Sequence, residues 1–141
     1  MKIAIACDHG GLDIKNAITK HFRQKNIDFV DLGTDTPDSV DYPPYAKAVS
    51  KAITDGKCEL GILCCGTGIG MSMVANKQKG IRAAVVTNDF CAEMTRRHNN
   101  ANVLCLGGRV ISEADAVRLA DIFITTPFDG GRHQRRVDMF E

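Results

Sequence analysis

Leu60-Gly61-Ile62-Leu63-Cys64-Cys65-Gly66-Thr67-Gly68-Ile69-Gly70-Met71-Ser72 is the stretch on which the fold turns. Its apolar opening, Leu60–Leu63, reads as a buried strand with Cys64 as the last strand residue, and Met71–Lys77 reads as a helix opening. Between them, Gly66, Gly68 and Gly70 bury nothing. They let the backbone turn sharply and leave N–H groups uncovered at a helix N-terminus, where an anion is favoured. The thiol of Cys65 and the hydroxyl of Thr67 lie inside that turn. A reactive group beside an anion cradle points to an active site.

Working outward, the same strand-then-helix alternation fills the chain. Lys2–Cys7 reads as a first strand, followed by Asp8-His9-Gly10-Gly11. Leu12, Ile14, Ala17, Ile18 and Phe22 recur at helical spacing and predict a helix to about Lys25. Phe29–Leu32 is a short strand, and residues 33–44 read as loop. Tyr45, Ala48, Val49, Ala52 and Ile53 mark a second helix, stopped by Gly56. Beyond the glycine turn, Ile81–Thr87 is a strand and Asn88-Asp89 caps a helix running to about His98. Val103–Leu106 is a fifth strand, leading into Gly107-Gly108-Arg109. Ser112-x-x-Asp115 resembles a capping box at the head of a helix to about Ile124, and Arg132–Arg136 opens a short last helix.

Strands apolar on both faces, alternating with helices, predict an α/β fold: a five-stranded parallel sheet covered on both sides. No repeat, low-complexity tract or linker interrupts it, so one domain over residues 1–141 is expected. A chain of this size buries roughly 68–70% of its unfolded surface, enough for a core without staples.

In open α/β sheets, ligands gather at the carboxyl ends of strands. Asp8-His9, Cys65–Gly70 and Gly107–Arg109 all follow strands, and His98-Asn99 ends a helix; the expectation is that they meet along one edge.

Charge and cysteine content narrow the classes. Lys and Arg total 18 against 17 Asp and Glu, a net charge of +1 that disfavours nucleic acid as the main partner. No apolar run approaches the ~20 residues of a membrane span, and the apolar start is short for a signal peptide. A cytoplasmic protein is expected. The six cysteines include no C-x-x-C pair, so most are expected to be reduced, buried small hydrophobes.

Each candidate site residue has a plain alternative. The G-x-G-x-G spacing of Gly66, Gly68 and Gly70 is neither a dinucleotide fingerprint nor a nucleotide-hydrolase phosphate loop, so the choice lies between a tight turn and an anion cradle. Cys65 is either a buried thiol or, at a helix N-terminus that favours the thiolate, a nucleophile or general base. His98 is either a solvated cap or a catalytic imidazole. Asp8 and His9 form either a turn or part of the chemistry. Arg132 and Arg136, four apart, are either a solvated tail or two guanidiniums aimed at one phosphate. His21 reads as a surface position without a role; Met71 and Met73 read as core or helix filler.

Taken together, six pieces resemble the type B ribose-5-phosphate isomerases, a family shared with the galactose-6-phosphate isomerase subunits. They are Cys7-Asp8-His9-Gly10-Gly11, Asp41-Tyr42-Pro43, Cys65–Met71, Arg97-His98-Asn99, Gly108-Arg109-Val110 and residues 130–136. They run nearly the whole chain in family order. The resemblance implies a three-layer Rossmann-like fold, no metal or other cofactor, and a homodimer or homotetramer with the active site at the subunit interface. It implies interconversion of ribose 5-phosphate and ribulose 5-phosphate, a step of the pentose phosphate pathway. Carried over by position, His98 with Asp8 opens the sugar ring. Cys65 as thiolate moves the proton between C2 and C1, and Thr67 shares protons with the enediol oxygens. The N–H groups of Gly66, Thr67, Gly68, Ile69 and Gly70 hold the developing charge. Arg132, Arg136 and His9 grip the phosphate; Asn99 and Arg109 contact the sugar or phosphate. His98, Asn99 and Arg109 are expected to come partly from a partner chain.

The chain stops at Glu141, soon after Arg136, where family members usually continue; the expectation is weaker dimer packing or a trimmed chain. Some relatives lack the Cys65 thiol and use a carboxylate elsewhere, so this chain falls in the thiol-dependent group. Three rivals stand beside the pentose reading. One is an allose- or galactose-6-phosphate isomerase, and another is a phosphosugar-binding module without chemistry. The third, a phosphatase, needs a C-x5-R loop, but position 71 holds Met71.

Overall fold

The structure is a computed structural model that describes residues 1–140. Its strands are β1 (Ile3–Cys7), β2 (Phe29–Asp31), β3 (Leu60–Cys65), β4 (Ala83–Val85) and β5 (Val103–Gly107). Its α-helices are α1 (Leu12–Gln24), α2 (Pro43–Thr54), α3 (Ile69–Ala75), α4 (Asp89–Arg97), α5 (Glu113–Thr125) and α6 (Arg132–Val137). A 3-10 turn over His9–Gly11 joins β1 to α1. All five strands are parallel, in the order β2-β1-β3-β5-β4, so the expected parallel sheet is borne out.

The alternation of side chains along each strand builds two cores. Ile3, Ile5, Cys7, Ile62, Cys64, Leu104 and Leu106 point to one face and pack against α1, α4 and α5. Ala4, Ala6, Leu63, Cys65, Val103 and Cys105 point to the other face, under α2 and α3. The small Ala4 and Ala6 let α2 come close to the sheet through Ala46 and Val49. The two predicted caps form as expected: Asn88 accepts the N–H of Cys91 at 2.9 Å, and Ser112 accepts that of Asp115 at 3.1 Å.

Several expectations change. Cys65, not Cys64, ends β3, because Cys65 still pairs in register with Gly107 of β5. Helix α2 begins at Pro43, inside the predicted loop; prolines are tolerated in a first turn, whose N–H groups lack helical partners anyway. Strand β4 is confined to Ala83–Val85, since it pairs on one side only. His21 has a role: its Nε2 meets Asp121 at 2.8 Å and ties α1 to α5. Met71 is fully buried, but Met73 is 65% exposed on the outer side of α3. Five cysteines are buried and free; Cys91 is exposed. Among the described residues no helix is long and apolar enough to cross a membrane.

Candidate active site

Three loops interlock at the carboxyl ends of β1, β3 and β5, and glycine is required wherever backbone meets backbone. A β-carbon on Gly11 would overlap the carbonyl of Cys64, and one on Gly108 would overlap the carbonyl oxygen of Gly10. One on Gly107 would fall 2.7 Å from Thr67 Cα. Hydrogen bonds complete the lock: Asp8 N–H to the Cys64 carbonyl at 3.1 Å, Gly108 N–H to Cys65 at 2.8 Å, and Arg109 N–H to Gly66 at 3.0 Å. The buried Asp8 carboxylate accepts the N–H of Gly10 at 2.8 Å and caps the 3-10 turn.

Within this frame the glycine turn takes a defined shape. Gly68 has φ +81°, the left-handed region that glycine adopts without strain, and it caps α3. The sulfur of Cys65, a residue 5% exposed, accepts the N–H of Gly68 at 3.0 Å. Thr67 Oγ1 accepts the N–H of Ile69 at 3.2 Å. Among the described residues none accepts from the N–H groups of Gly66, Thr67 or Gly70, so these donors are open to a ligand.

Three neighbouring thiols, Cys7, Cys64 and Cys105, are wholly buried. Burial pushes Cys7 up to about 11 despite the Lys15 ammonium nearby, and burial raises Cys64 and Cys105 as well. All three stay protonated at neutral pH.

Two further groups border the turn. The Arg109 guanidinium lies over Gly66, with Nη1 3.0 Å from where a β-carbon would stand. The Tyr42 ring covers Gly70, with its hydroxyl 2.9 Å from the same construction. On the other side His9 Nδ1 accepts the backbone N–H of Val40 at 3.2 Å. A backbone N–H can only donate, so Nδ1 carries no proton and the Nε2 edge is the one that donates. Tyr42 and Val40 are not singled out for the site by sequence reasoning. The Asp41-Tyr42-Pro43 motif was the available signal for the first; nothing local marks the second.

The expectation of a single edge fails within one chain. In an α/β fold each helix runs back antiparallel to its strand, so the C-terminal end of α4 lies at the amino end of the sheet. His98 caps that end and exposed Asn99 follows it. The adjoining Asn102 donates its backbone N–H to Arg82, just before β4. Helix α6, carrying exposed Arg132 and Arg136, packs there too: the His98 and His133 rings stack with centroids 4.2 Å apart and planes 10° from parallel. Asp129 donates its N–H to the Arg97 carbonyl at 3.0 Å and accepts from Arg97 Nε at 3.2 Å. Partial burial, then the adjacent His98, holds His133 below the ordinary imidazole range. The structure therefore gathers Asp8, His9, Cys65–Gly70 and Arg109 at one end of the sheet. His98, Asn99, Arg132 and Arg136 lie at the other.

Comparison with known proteins adds an independent line. The sequence pattern of the Ribose/Galactose Isomerase family matches residues 3–140. Ribose-5-phosphate isomerase B of Escherichia coli is 42% identical over 137 residues, covering 97% of this chain and 92% of that protein. The crystal structure of a ribose 5-phosphate isomerase from Thermotoga maritima has a TM-score of 0.96 at 47% identity, over 99% of this chain and 96% of that one. Ribose-5-phosphate isomerase B from Mycoplasma genitalium, solved with bound ribulose-5-phosphate, has a TM-score of 0.92 at 45% identity, over 97% of this chain and 91% of that one.

Proposed function

The chain belongs to the ribose/galactose isomerase family, and from that premise we propose that it interconverts ribose 5-phosphate and ribulose 5-phosphate. The observation that carries the reading is the Cys65 sulfur held by the Gly68 N–H at 3.0 Å beside open N–H donors. A hydrogen bond to sulfur is stronger when the sulfur is anionic, so the turn is suited to a thiolate base.

The sugar enters as a closed ring, and His98, with Asp8, moves the proton that opens it to the aldehyde. Cys65 then takes the proton from C2, and the electron pair shifts to form the enediolate, with negative charge on O1. The N–H groups of Gly66, Thr67 and Gly70 face that charge; such preorganised donors are worth ~2.7–4 kcal/mol each in transition states. Thr67 passes a proton between the enediol oxygens, and the Cys65 thiol returns its proton to C1, giving the ketose. Nothing is oxidised by an outside agent, and no bond to phosphorus breaks. Arg132, Arg136 and His9 hold the phosphate, while Asn99 and Arg109 contact the sugar.

The separation of the two groups of residues supports a site shared between chains. Strands of 5 or 6 residues set the two ends of the sheet on the order of 15–20 Å apart, too far for one pentose phosphate to bridge. A second copy supplies His98, Asn99, Arg132 and Arg136 to the Cys65 turn of the first, in a homodimer or homotetramer. The proposal includes a single domain over residues 1–141 acting in the cytoplasm, as a step of the pentose phosphate pathway.

Proton NMR of ribose 5-phosphate in heavy water, with chelator-treated protein, tests the reading. The expected result is loss of the C2 proton signal with appearance of ribulose 5-phosphate, absent with Cys65→Ala. Turnover of allose or galactose 6-phosphate alone would move the substrate to six carbons. Binding without turnover of any of them would leave a phosphosugar-binding module.

A further inference from the structure

His98, Asp129 and His133 place one ligand-capable atom each within 4.8 Å of one another, the only such group among the described residues. We propose that these three side chains form a binding site for a late first-row divalent cation, read out with Zn²⁺, and that the ion inhibits the enzyme by occupying the His98 imidazole. The second half of this inference rests on the role proposed for His98; the site itself does not.

The donor set fits such an ion. Two imidazoles and a carboxylate leave a fourth position open in a tetrahedral zinc site, and bonds of about 2.0–2.1 Å put neighbouring ligand atoms roughly 3.3 Å apart. Closing from 4.8 Å to that spacing takes small side-chain rotations. All three residues have room for them: both histidines are partly exposed and Asp129 is exposed. The backbone framework is already set. Asp129 N–H bonds the Arg97 carbonyl at 3.0 Å, so the carboxylate is fastened to the end of α4 that carries His98. Its ring stacking at 4.2 Å brings His133, in the first turn of α6, to the same spot.

Arg97 acts on the outer side of the carboxylate. Its Nε lies 3.2 Å from both Asp129 oxygens, leaving each oxygen a further lone pair for an ion. Hydrogen-bonded carboxylates of this kind orient metal ligands. Arg97, Arg132 and Arg136 border the cluster, with Glu93 paired to Arg97 outside it, against the one carboxylate within it, Asp129. That balance disfavours Mg²⁺ and Ca²⁺, which bind through charge and oxygen ligands. It leaves Zn²⁺, Cu²⁺ and Ni²⁺, which seek imidazole nitrogen.

The test is calorimetric titration of the chelator-treated full-length protein with Zn²⁺, alongside isomerase assays in which Zn²⁺ and then excess chelator are added. The expected result is one ion bound per chain, with inhibition that the chelator reverses. Asp129→Asn and His133→Gln should each weaken zinc binding roughly tenfold or more. In both variants, inhibition relative to the variant's own metal-free rate should weaken in parallel. Co²⁺ should give visible d–d bands without a thiolate charge-transfer band, and Cys65→Ala should bind it unchanged. No binding, binding undiminished in both variants, or binding lost in Cys65→Ala would overturn the site. Circular dichroism and melting of each variant separate lost ligation from lost fold. Inactivity toward ribose 5-phosphate of the metal-free protein in chelator, with zinc binding intact in the calorimeter, would instead count against the isomerase reading.

Discussion

The sulfur of Cys65 accepts the N–H of Gly68 at 3.0 Å across the turn that ends β3 and begins α3. That bond exists because Gly68 sits at φ +81°, where a side chain would be strained and a β-carbon would stand 3.1 Å from the Leu106 backbone. The position of the proposed base therefore depends on a glycine three residues on, packed against the neighbouring strand.

Gly68→Ala and Gly56→Ala separate these two effects. Gly56 has φ +77° and nothing within 4 Å of a β-carbon, so its substitution meets backbone strain alone. Gly56→Ala should lower stability by about 1 kcal/mol with unchanged kinetics. Gly68→Ala adds the clash with β5 and should cost about 2–4 kcal/mol and most of the activity. Urea unfolding and steady-state kinetics check both; equal stabilities would mean the close packing at Leu106 contributes nothing.

Mixing two inactive variants tests whether the site is shared. Cys65→Ala and His98→Asn should each lose turnover by ~10²–10⁴-fold, as expected for a group that transfers a proton. After joint unfolding and refolding, half of the dimers are hybrids, each with one intact site, and roughly a quarter of wild-type activity should return. No recovery, with hybrids verified by mass spectrometry, would return His98 and Cys65 to separate roles.

Thiol labelling should resolve the cysteines into three sets. Exposed Cys91 reacts at once with a disulfide reagent. Cys65 and Cys58, each 5% exposed, react slowly, and bound ribose 5-phosphate should protect Cys65 alone. Cys7, Cys64 and Cys105, fully buried and raised by that burial, should react only on unfolding. In a Cys91→Ser background, inactivation that substrate fails to slow would remove Cys65 from the site.

Lys15 is 1% exposed in its side chain, and its ammonium meets Asp31 and the Thr34 carbonyl, each at 2.8 Å. It anchors the start of the loop whose later residues reach His9 through Val40 and Gly70 through Tyr42. Lys15→Met leaves Asp31 unpaired and should lower stability by about 3 kcal/mol. Adding Asp31→Asn should restore part of it. A double variant no more stable than the single would mean the pair is not the source of the loss.

Much of the fold is legible one residue at a time. Apolar runs, helical spacing, and the caps at Asn88 and Ser112 depend on neighbours within about one turn of chain, and both caps form as expected. The glycine turn is legible for the same reason: a strand, a bend and a helix start are consecutive. The contacts of Tyr42 with Gly70 and of Val40 with His9 are not, because they join segments that local pattern leaves independent.

The sequence by itself determined an α/β chain with a parallel sheet, and nominated candidate residues for its chemistry. Only the tertiary structure decided where they stand. Strands all point one way and helices return the other, so a residue closing a strand and a residue closing a helix lie at opposite ends of the sheet. Cys65 closes a strand and His98 closes a helix, and that single geometric fact separates them within one chain.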